Sequence, residues 1–184
     1  ELREACETNR LAKQIGFGDK TEQKILEAIL SQQQNKGKFM YAEVESFAQA
    51  LQTKLSEKFS QAQTALTGAY RRQLEVIEQL EWVTTIAKED LIHFFPKDET
   101  HIVDQSNEHI QFLANGSIRL YFHLTSNELF NQKLFTTSAS SDFLEAIGDI
   151  PTSDSEEAIF AGKDLPYIPP YLREGSDIIS KVKQ

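Results

Sequence analysis

The chain has 184 residues, with 19 lysines and arginines against 28 aspartates and glutamates, which gives a formal charge of −9. Hydrophobic residues make up 40% of the sequence and charged residues 26%, values that are ordinary for a globular domain and exclude wholesale disorder. No apolar run reaches the length needed to cross a bilayer, which excludes a membrane-embedded chain. The negative charge disfavours a general phosphate-backbone binder, so we expect no nucleic-acid partner.

The cysteine content limits the redox chemistry and the location of the chain. Cys6 is the single cysteine, so no disulfide can form within the chain, and a reducing compartment is the simpler location. The sequence starts at Glu1 without an initiator methionine or an apolar signal segment, so we read it as a fragment of a longer protein. We therefore expect an intracellular, cytoplasmic protein.

Two short helices are predicted at the start of the chain. A modest apolar stripe near the N-terminus stops at Gly16 and Gly18, because glycine terminates helices. Asp19 followed by Glu22 is a variant of the capping box, and apolar residues then recur at helical spacing over 25–30. The chain is therefore predicted to begin with a helical hairpin or bundle.

A very long helix is predicted from about residue 40 to residue 94. This stretch contains no proline and one glycine, Gly68, and as an unbroken helix it would be a rod of roughly 80 Å. Apolar residues recur every eleven positions, which is a helical period, and their stripe must pack against another segment or another chain. The residues predicted to bind a partner along this coiled-coil-like helix are Val44, Phe47, Leu51, Leu55, Phe59, Leu66, Tyr70 and Ile77.

The composition changes near Pro96, where we place a domain boundary, with a helical region over 1–95 and a small α+β cap over 96–184. All five prolines lie from Pro96 onward. Apolar residues alternate with period two on both sides of Asn115-Gly116, which is the strongest short turn signal and predicts a β-hairpin over about 109–124. An isolated hairpin is only marginally stable, so we expect helices to cover its apolar face.

Smaller elements are predicted around this hairpin and after it. Residues 100–103 form a short third strand, and Ser126 and Ser155 cap short helices. A proline-rich segment with large apolar side chains follows over 165–172, typical of an extended strap. Two aromatic side chains on this strap complete the predicted partner-binding set, Tyr167 and Tyr171. The alternative is that the strap covers the core of its own domain.

A group of histidines and acidic residues lies within 93–123. The histidines are His93, His101, His109 and His123, and the acidic residues are Asp98, Glu99, Asp104 and Glu108. Imidazole and carboxylate groups bind zinc, manganese and iron, but the spacing of these residues matches no defined ligand motif. A metal-dependent or hydrolytic enzyme that uses this cluster is the alternative prediction for function.

Motifs for covalent and nucleotide chemistry do not occur in the sequence. The segment Gly16 to Thr21 lacks the four-residue gap and the preceding strand of a phosphate-binding loop. No nucleophile elbow or dinucleotide fingerprint is present. We therefore assign no catalytic residue, no cofactor and no metal ligand.

Two segments fit the patterns of covalent modification. Asn115-Gly116-Ser117 matches the glycosylation acceptor pattern, but the same residues suit a tight hairpin turn, which we favour. A glycan at Asn115 would instead indicate a secreted binding protein. Ser153 and Ser155 lie beside acidic residues and could be phosphorylated, although an unmodified loop and helix cap is the simpler interpretation.

Together these patterns predict a mainly α protein with one very long helix over about 40–94 and a small α+β cap. Function is expected to reside in surfaces, because no motif supplies chemistry of comparable specificity. We predict a non-enzymatic interaction or scaffold module that self-associates or binds a protein partner through the long helix.

Overall fold

The computed structural model describes residues 37–182 together with three residues before them, Lys20, Gln23 and Lys24, which are helical and exposed. The chain divides into two units, Glu1–Lys36 and Gly37–Gln184. The two helices predicted near the N-terminus fall, apart from those three residues, outside the described residues.

Helices and strands alternate in the first part of the second unit. In chain order they are β1 (Phe39–Met40), α1 (Tyr41–Lys58), β2 (Thr64–Thr67), α2 (Gly68–Arg71), β3 (Val76–Ile77), β4 (Leu80–Thr84) and α3 (Lys88–Phe94). Helix α1 begins where the carboxylate of Glu43 accepts a hydrogen bond from the backbone amide of Met40 at 2.7 Å. This bond satisfies one of the free amides at the helix start.

Three strands and then a series of short helices form the remainder. The strands are β5 (Thr100–Gln105), β6 (His109–Ala114) and β7 (Ile118–Leu124), and the helices are α4 (Phe130–Thr137), α5 (Ser141–Ile147), α6 (Glu156–Ala161) and α7 (Asp177–Val182), with a 3-10 turn at Pro170–Leu172. The predicted hairpin over about 109–124 is present as β6 and β7, with Asn115 and Gly116 at positive φ in its turn. Ser155 caps α6 through the amide of Ala158, as predicted, whereas Leu129, not Ser126, precedes α4.

Five strands form one mixed sheet in the order β2-β4-β7-β6-β5, and β1 pairs with β3 in a separate two-stranded sheet. Strands β4 and β7 are parallel, and the other neighbours in the large sheet are antiparallel. Strands from both sides of Pro96 therefore belong to the same sheet. The parallel pair places Glu81 beside Tyr121 and Val83 beside His123.

One face of the large sheet packs against α1 and α3 and forms the main core. Trp82 and Phe122 stack there with their ring centroids 5.1 Å apart, and Trp82 is fully buried. Helix α1 contributes Ala48 and Leu55, both of which are fully buried. The alternation of buried and half-buried residues along β6 and β7 shows that the opposite face of these strands is more polar.

A second apolar cluster joins the helices that follow the sheet. Its buried members are Phe135, Phe143, Ile147, Ile159, Phe160, Leu165, Ile168 and Ile179. Leu165 and Ile168 belong to the proline-rich segment, so this segment lies over a core of its own unit. Tyr167 and Tyr171 remain half exposed, at 41% and 50%.

The prediction of a mainly α fold with a very long helix over about 40–94 is wrong. The helix ends at Lys58, and two strands of the sheet, a two-residue strand and two short helices occupy the rest of that stretch. Threonine, valine and tryptophan are concentrated in β2 and β4, and such residues favour strands over helices when a neighbouring strand is available. The prediction of a coiled coil is wrong for the same reason.

The eleven-residue spacing that suggested a stripe has another origin. Val44 and Leu55 lie on α1, Leu66 lies on β2 and Ile77 lies on β3. All four contribute to the main core, with Leu66 partly buried and the others fully buried or nearly so. The spacing reflects burial by successive short elements, because short apolar runs do not by themselves distinguish helices from strands.

Among the residues that the structure describes, no helix has both the length and the apolar composition that crossing a bilayer requires.

Candidate functional site

The residues predicted to bind a partner mostly lie inside the unit. Val44, Leu51, Leu55, Tyr70 and Ile77 are buried in the main core. Two others, Phe59 and Leu66, are partly buried against it, while Phe47 is 39% exposed. The buried members of this set stabilise the fold and are not accessible to another chain.

The predicted cluster of histidines and acids separates into pairs. The imidazole of His109 lies 2.9 Å from Asp104, and that of His123 lies 2.9 Å from Glu81. His93 bonds the backbone carbonyl of Glu89 at 2.6 Å, and a fourth histidine, on β5, is exposed. Within residues 37–182 no three histidine, cysteine, aspartate or glutamate side chains converge into a group that could hold a metal ion.

The face of the sheet that points away from α1 carries a row of polar and aromatic side chains, which we call the polar face. It consists of Glu81, His109, Gln111, Arg119, Tyr121 and His123. Antiparallel pairing places His109 directly opposite His123, and Gln111 opposite Tyr121. Both histidines were candidates from the sequence, whereas Glu81 was not, because its position depends on the parallel pairing of β4 with β7.

Glu81 is held tightly at one end of the polar face. Its Oε2 lies 2.9 Å from Nε2 of His123. Its Oε1 lies against Gly68, where a Cβ atom would be only 2.3 Å away, and Gly68 has a φ of +64°. The positive φ favours glycine at this position, and the missing side chain leaves room for the carboxylate of Glu81. The carboxylate is thereby fixed between the start of α2 and the imidazole of β7.

Three rings lie side by side across the polar face. Tyr121 stacks on His109 with a centroid distance of 5.1 Å and an interplanar angle of 13°, and it contacts His123 at 4.6 Å. Partial burial raises the pKa of Tyr121, and the nearby carboxylates of Glu81 and Asp104 raise it further. The phenol therefore stays protonated and neutral at physiological pH. The result is an ordered row of flat side chains that is still partly open to solvent.

Helix α4 forms a wall beside this row. Phe130 and Leu134 of the helix pack on Val83, next to Glu81 on the same strand face. At its far end, the Thr137 hydroxyl lies 2.6 Å from the Thr67 hydroxyl of β2. An open cavity of about 390 Å³ lies between α4 and the end of β7, with Lys133 among its lining residues. The helix therefore borders the polar face on the side of β4, and the cavity lies beyond the end of β7 and not over the three rings.

The basic pair at residues 71 and 72 is already neutralised. Arg71 forms two hydrogen bonds to Glu156, at 3.0 and 2.6 Å, and donates a third to Ser138 at 2.9 Å. Arg173, which is fully buried, also donates to Glu156 at 2.7 Å. Arg72 pairs with Glu174 at 2.9 Å. These contacts connect the end of α2 to the segments of the second apolar cluster, so their role is to hold the two parts together.

Known proteins that resemble this chain provide independent information about its function. No family model matches the chain. The chain is 26% identical over 205 aligned residues to the DNA polymerase/3'-5' exonuclease PolX of Bacillus subtilis (strain 168). The aligned part covers 94% of this chain but only 35% of that protein, so the chain spans about a third of the length of its relative.

This similarity corrects two predictions made from the sequence. The chain was expected not to be an enzyme, and the match to a polymerase and exonuclease argues against that expectation. The expectation that nucleic acid is not a partner is contradicted by the same match. Net charge was a poor guide here, because a charge summed over the whole chain does not describe the local charge around one group of side chains.

Proposed function

We propose that the chain is a DNA-binding module of a DNA-processing protein and that the polar face holds the DNA. The observation that carries this proposal is the similarity over 94% of the chain to a DNA polymerase/3'-5' exonuclease. The polar face supports it, because three flat side chains lie side by side there and are partly open to solvent. A cytoplasmic location, predicted from the sequence, is consistent with this ligand.

The side chains of the polar face suit the stacking of bases. Sheets that bind single strands present aromatic rings and histidines on which unpaired bases stack, and such stacking does not depend on sequence. Tyr121, His109 and His123 form such a row. Arg119 lies two positions before Tyr121 on β7 and is exposed on the same face, so its guanidinium can reach a phosphate beside a stacked base.

The charges of the polar face predict a weak dependence of DNA binding on salt. The carboxylates of Glu81 and Asp104 are each paired with an imidazole, which reduces their repulsion of a phosphate backbone. Arg119 is an exposed cation on this face, and Lys133, which is half-buried, lies on the neighbouring helix α4. Binding that releases few counterions depends weakly on salt, with a slope near 1 to 2 in the plot of log Kd against log salt.

The polar face does not fit the paired divalent cations with which DNA polymerases catalyse nucleotidyl transfer. Such cations are bound by several carboxylate oxygens at one point. Glu81 is held by His123, Asp104 is held by His109 on a different strand, and the described residues bring no third ligand to either. The role that we propose for this face is therefore DNA binding and not catalysis.

Replacing Tyr121 with alanine is expected to weaken DNA binding by about 5- to 150-fold, because alanine removes one stacking surface worth roughly 1–3 kcal/mol. The measurement is fluorescence anisotropy of a short labelled single strand titrated with the full chain. Tyr121→Leu, which keeps an apolar side chain on the strand without a ring, should lose nearly as much affinity as Tyr121→Ala.

The matched control is Tyr171→Ala, which removes a 50% exposed tyrosine far along the chain in the 3-10 turn. Its affinity should equal that of the unchanged chain. Circular dichroism of each variant confirms that the fold is retained. Equal binding by the unchanged chain and both Tyr121 variants, or no binding of single-stranded or duplex DNA by any of them, would overturn the proposal.

A further inference from the structure

The two histidines that face each other on the polar face differ in their hydrogen bonds. Each directs Nε2 at a carboxylate 2.9 Å away, Asp104 for His109 and Glu81 for His123. Nδ1 of His109 is also engaged, by Oγ of Ser106 at 2.9 Å. Nδ1 of His123 has no hydrogen-bond partner in the described part of the chain and is not enclosed, so it is open to a ligand.

The hydrogen bonds around Ser106 oppose the addition of a proton to His109. The backbone amides of Glu108 and His109 donate to Ser106 Oγ at 3.0 and 3.3 Å. Because both lone pairs of this oxygen accept, its own proton is left to donate to Nδ1 of His109. A proton added to Nδ1 would break this bond and meet an oxygen that has no free lone pair.

The ring of His123 can accept a proton without losing a hydrogen bond. Its Nε2 donates to Glu81, and Nδ1 carries a lone pair when the ring is neutral. That lone pair and the carboxylate both repel a phosphate oxygen. A proton on Nδ1 creates a second donor and a positive charge that offsets the charge of Glu81. An anion at the polar face therefore binds the protonated form of His123 more tightly.

Other ionisable groups surround this ring on the neighbouring elements. They are His101 and Asp104 on β5, Glu108 before β6, Arg119 and Tyr121 on β7, and Lys133 on α4. Tyr121 contacts the His123 ring at 4.6 Å, and its raised pKa keeps the phenol neutral. The hydrogen bond from His109 lowers the pKa of Asp104, so this carboxylate stays ionised from pH 6 to pH 8. The group beside Glu81 that changes charge in this range is therefore His123.

We propose that DNA binding at the polar face is coupled to protonation of His123 at Nδ1, which then donates to a phosphate oxygen while Glu81 holds Nε2. This inference rests on the proposed function and adds to it a regulation by pH. Linkage is reciprocal, so bound DNA favours the protonated ring, and loss of the proton weakens DNA binding. The Kd should therefore rise as the pH rises, by about tenfold between pH 6 and pH 8.

Fluorescence anisotropy of a single strand with a pH-insensitive rhodamine label tests this at pH 6 and pH 8 and constant ionic strength. His123→Gln keeps a donor for Glu81 but does not titrate, so its Kd should differ by less than about twofold between the two pH values. His109→Gln removes a ring and should weaken binding at both pH values, yet keep the tenfold rise. His93→Gln and His101→Gln, which remove two exposed histidines, should also keep it.

Nuclear magnetic resonance of the ring nitrogens provides a second measurement that needs no substitution. In the complex at pH 7, both nitrogens of His123 should carry protons, whereas Nδ1 of His109 should carry none. The proposal is overturned if the Kd of the unchanged chain is equal at the two pH values, if His123→Gln keeps the rise, or if His123 lacks the second proton in the complex. Binding that requires Tyr121 but ignores pH refutes this inference alone, while no DNA binding at either pH refutes the proposed function as well.

Discussion

Replacing Glu156 with glutamine is expected to destabilise the chain by about 3–5 kcal/mol, the usual cost of breaking a buried ion pair by removing one partner. Glu156 is 5% exposed and accepts hydrogen bonds from Arg71 and Arg173. Without its charge, the fully buried guanidinium of Arg173 has no counterion at this position. Urea unfolding followed by circular dichroism measures the free energy of unfolding of both chains.

The adjacent Glu157 provides the control for this prediction. It is exposed, so Glu157→Gln should change the free energy of unfolding by less than about 0.5 kcal/mol. Equal effects of the two substitutions would show that the Arg71–Glu156–Arg173 contacts do not hold the two parts of the unit together.

The contribution of Glu156 to the free energy of unfolding should decrease as the pH falls. Burial by itself would raise the pKa of Glu156, but the hydrogen bonds and charges of Arg71 and Arg173 outweigh burial and lower the pKa from 4.5. A carboxyl with a lowered pKa in the folded state adds stability above its unfolded pKa and loses it as the pH falls through the folded value. The difference between the unchanged chain and Glu156→Gln should therefore be full at neutral pH and shrink below pH 4.5.

Trp82→Ala is expected to cost about 3–5 kcal/mol, the range for truncating a large core aromatic residue. Trp82 is fully buried, stacks on Phe122 and donates from Nε1 to the Gln52 side chain at 3.0 Å. It therefore joins β4, β7 and α1 at one point. Chemical unfolding followed by circular dichroism is the measurement, because the substitution removes the tryptophan fluorescence.

Trp82→Phe separates packing from hydrogen bonding at this position. Phenylalanine retains a ring against Phe122 but leaves the half-buried amide oxygen of Gln52 without its donor, so we expect a smaller loss of about 1–3 kcal/mol. A loss below about 1 kcal/mol for Trp82→Ala would contradict the assignment of this residue to the centre of the core.

Local signals predicted local structure well. The Asn115-Gly116 turn and the alternation around it predicted the β6–β7 hairpin, and the position of Ser155 predicted the start of α6. The prediction of a long helix was wrong because it rested on the absence of proline and on widely spaced apolar residues. Both features are compatible with short strands. The pairing of β2 with β4 and of β4 with β7 stabilises these segments as strands. Such pairings between distant residues cannot be read from local periodicity.

The candidate site also contains some contacts that the local sequence predicts and others that it does not. His109 and His123 were both singled out in the sequence, and the register of the hairpin places them opposite each other. The partner of His123 could not be predicted, because Glu81 is 42 residues away and reaches it only through the parallel strand pair.

The most direct test of DNA binding on the polar face is a nuclear magnetic resonance titration of the isotope-labelled full chain with single-stranded DNA. We predict that the largest chemical-shift changes occur at His109, Tyr121 and His123, with smaller changes at Arg119. The residues of the second apolar cluster should remain unaffected. A saturable titration whose shift changes leave these three rings unmoved, and cluster elsewhere on the chain, would contradict the proposed binding site.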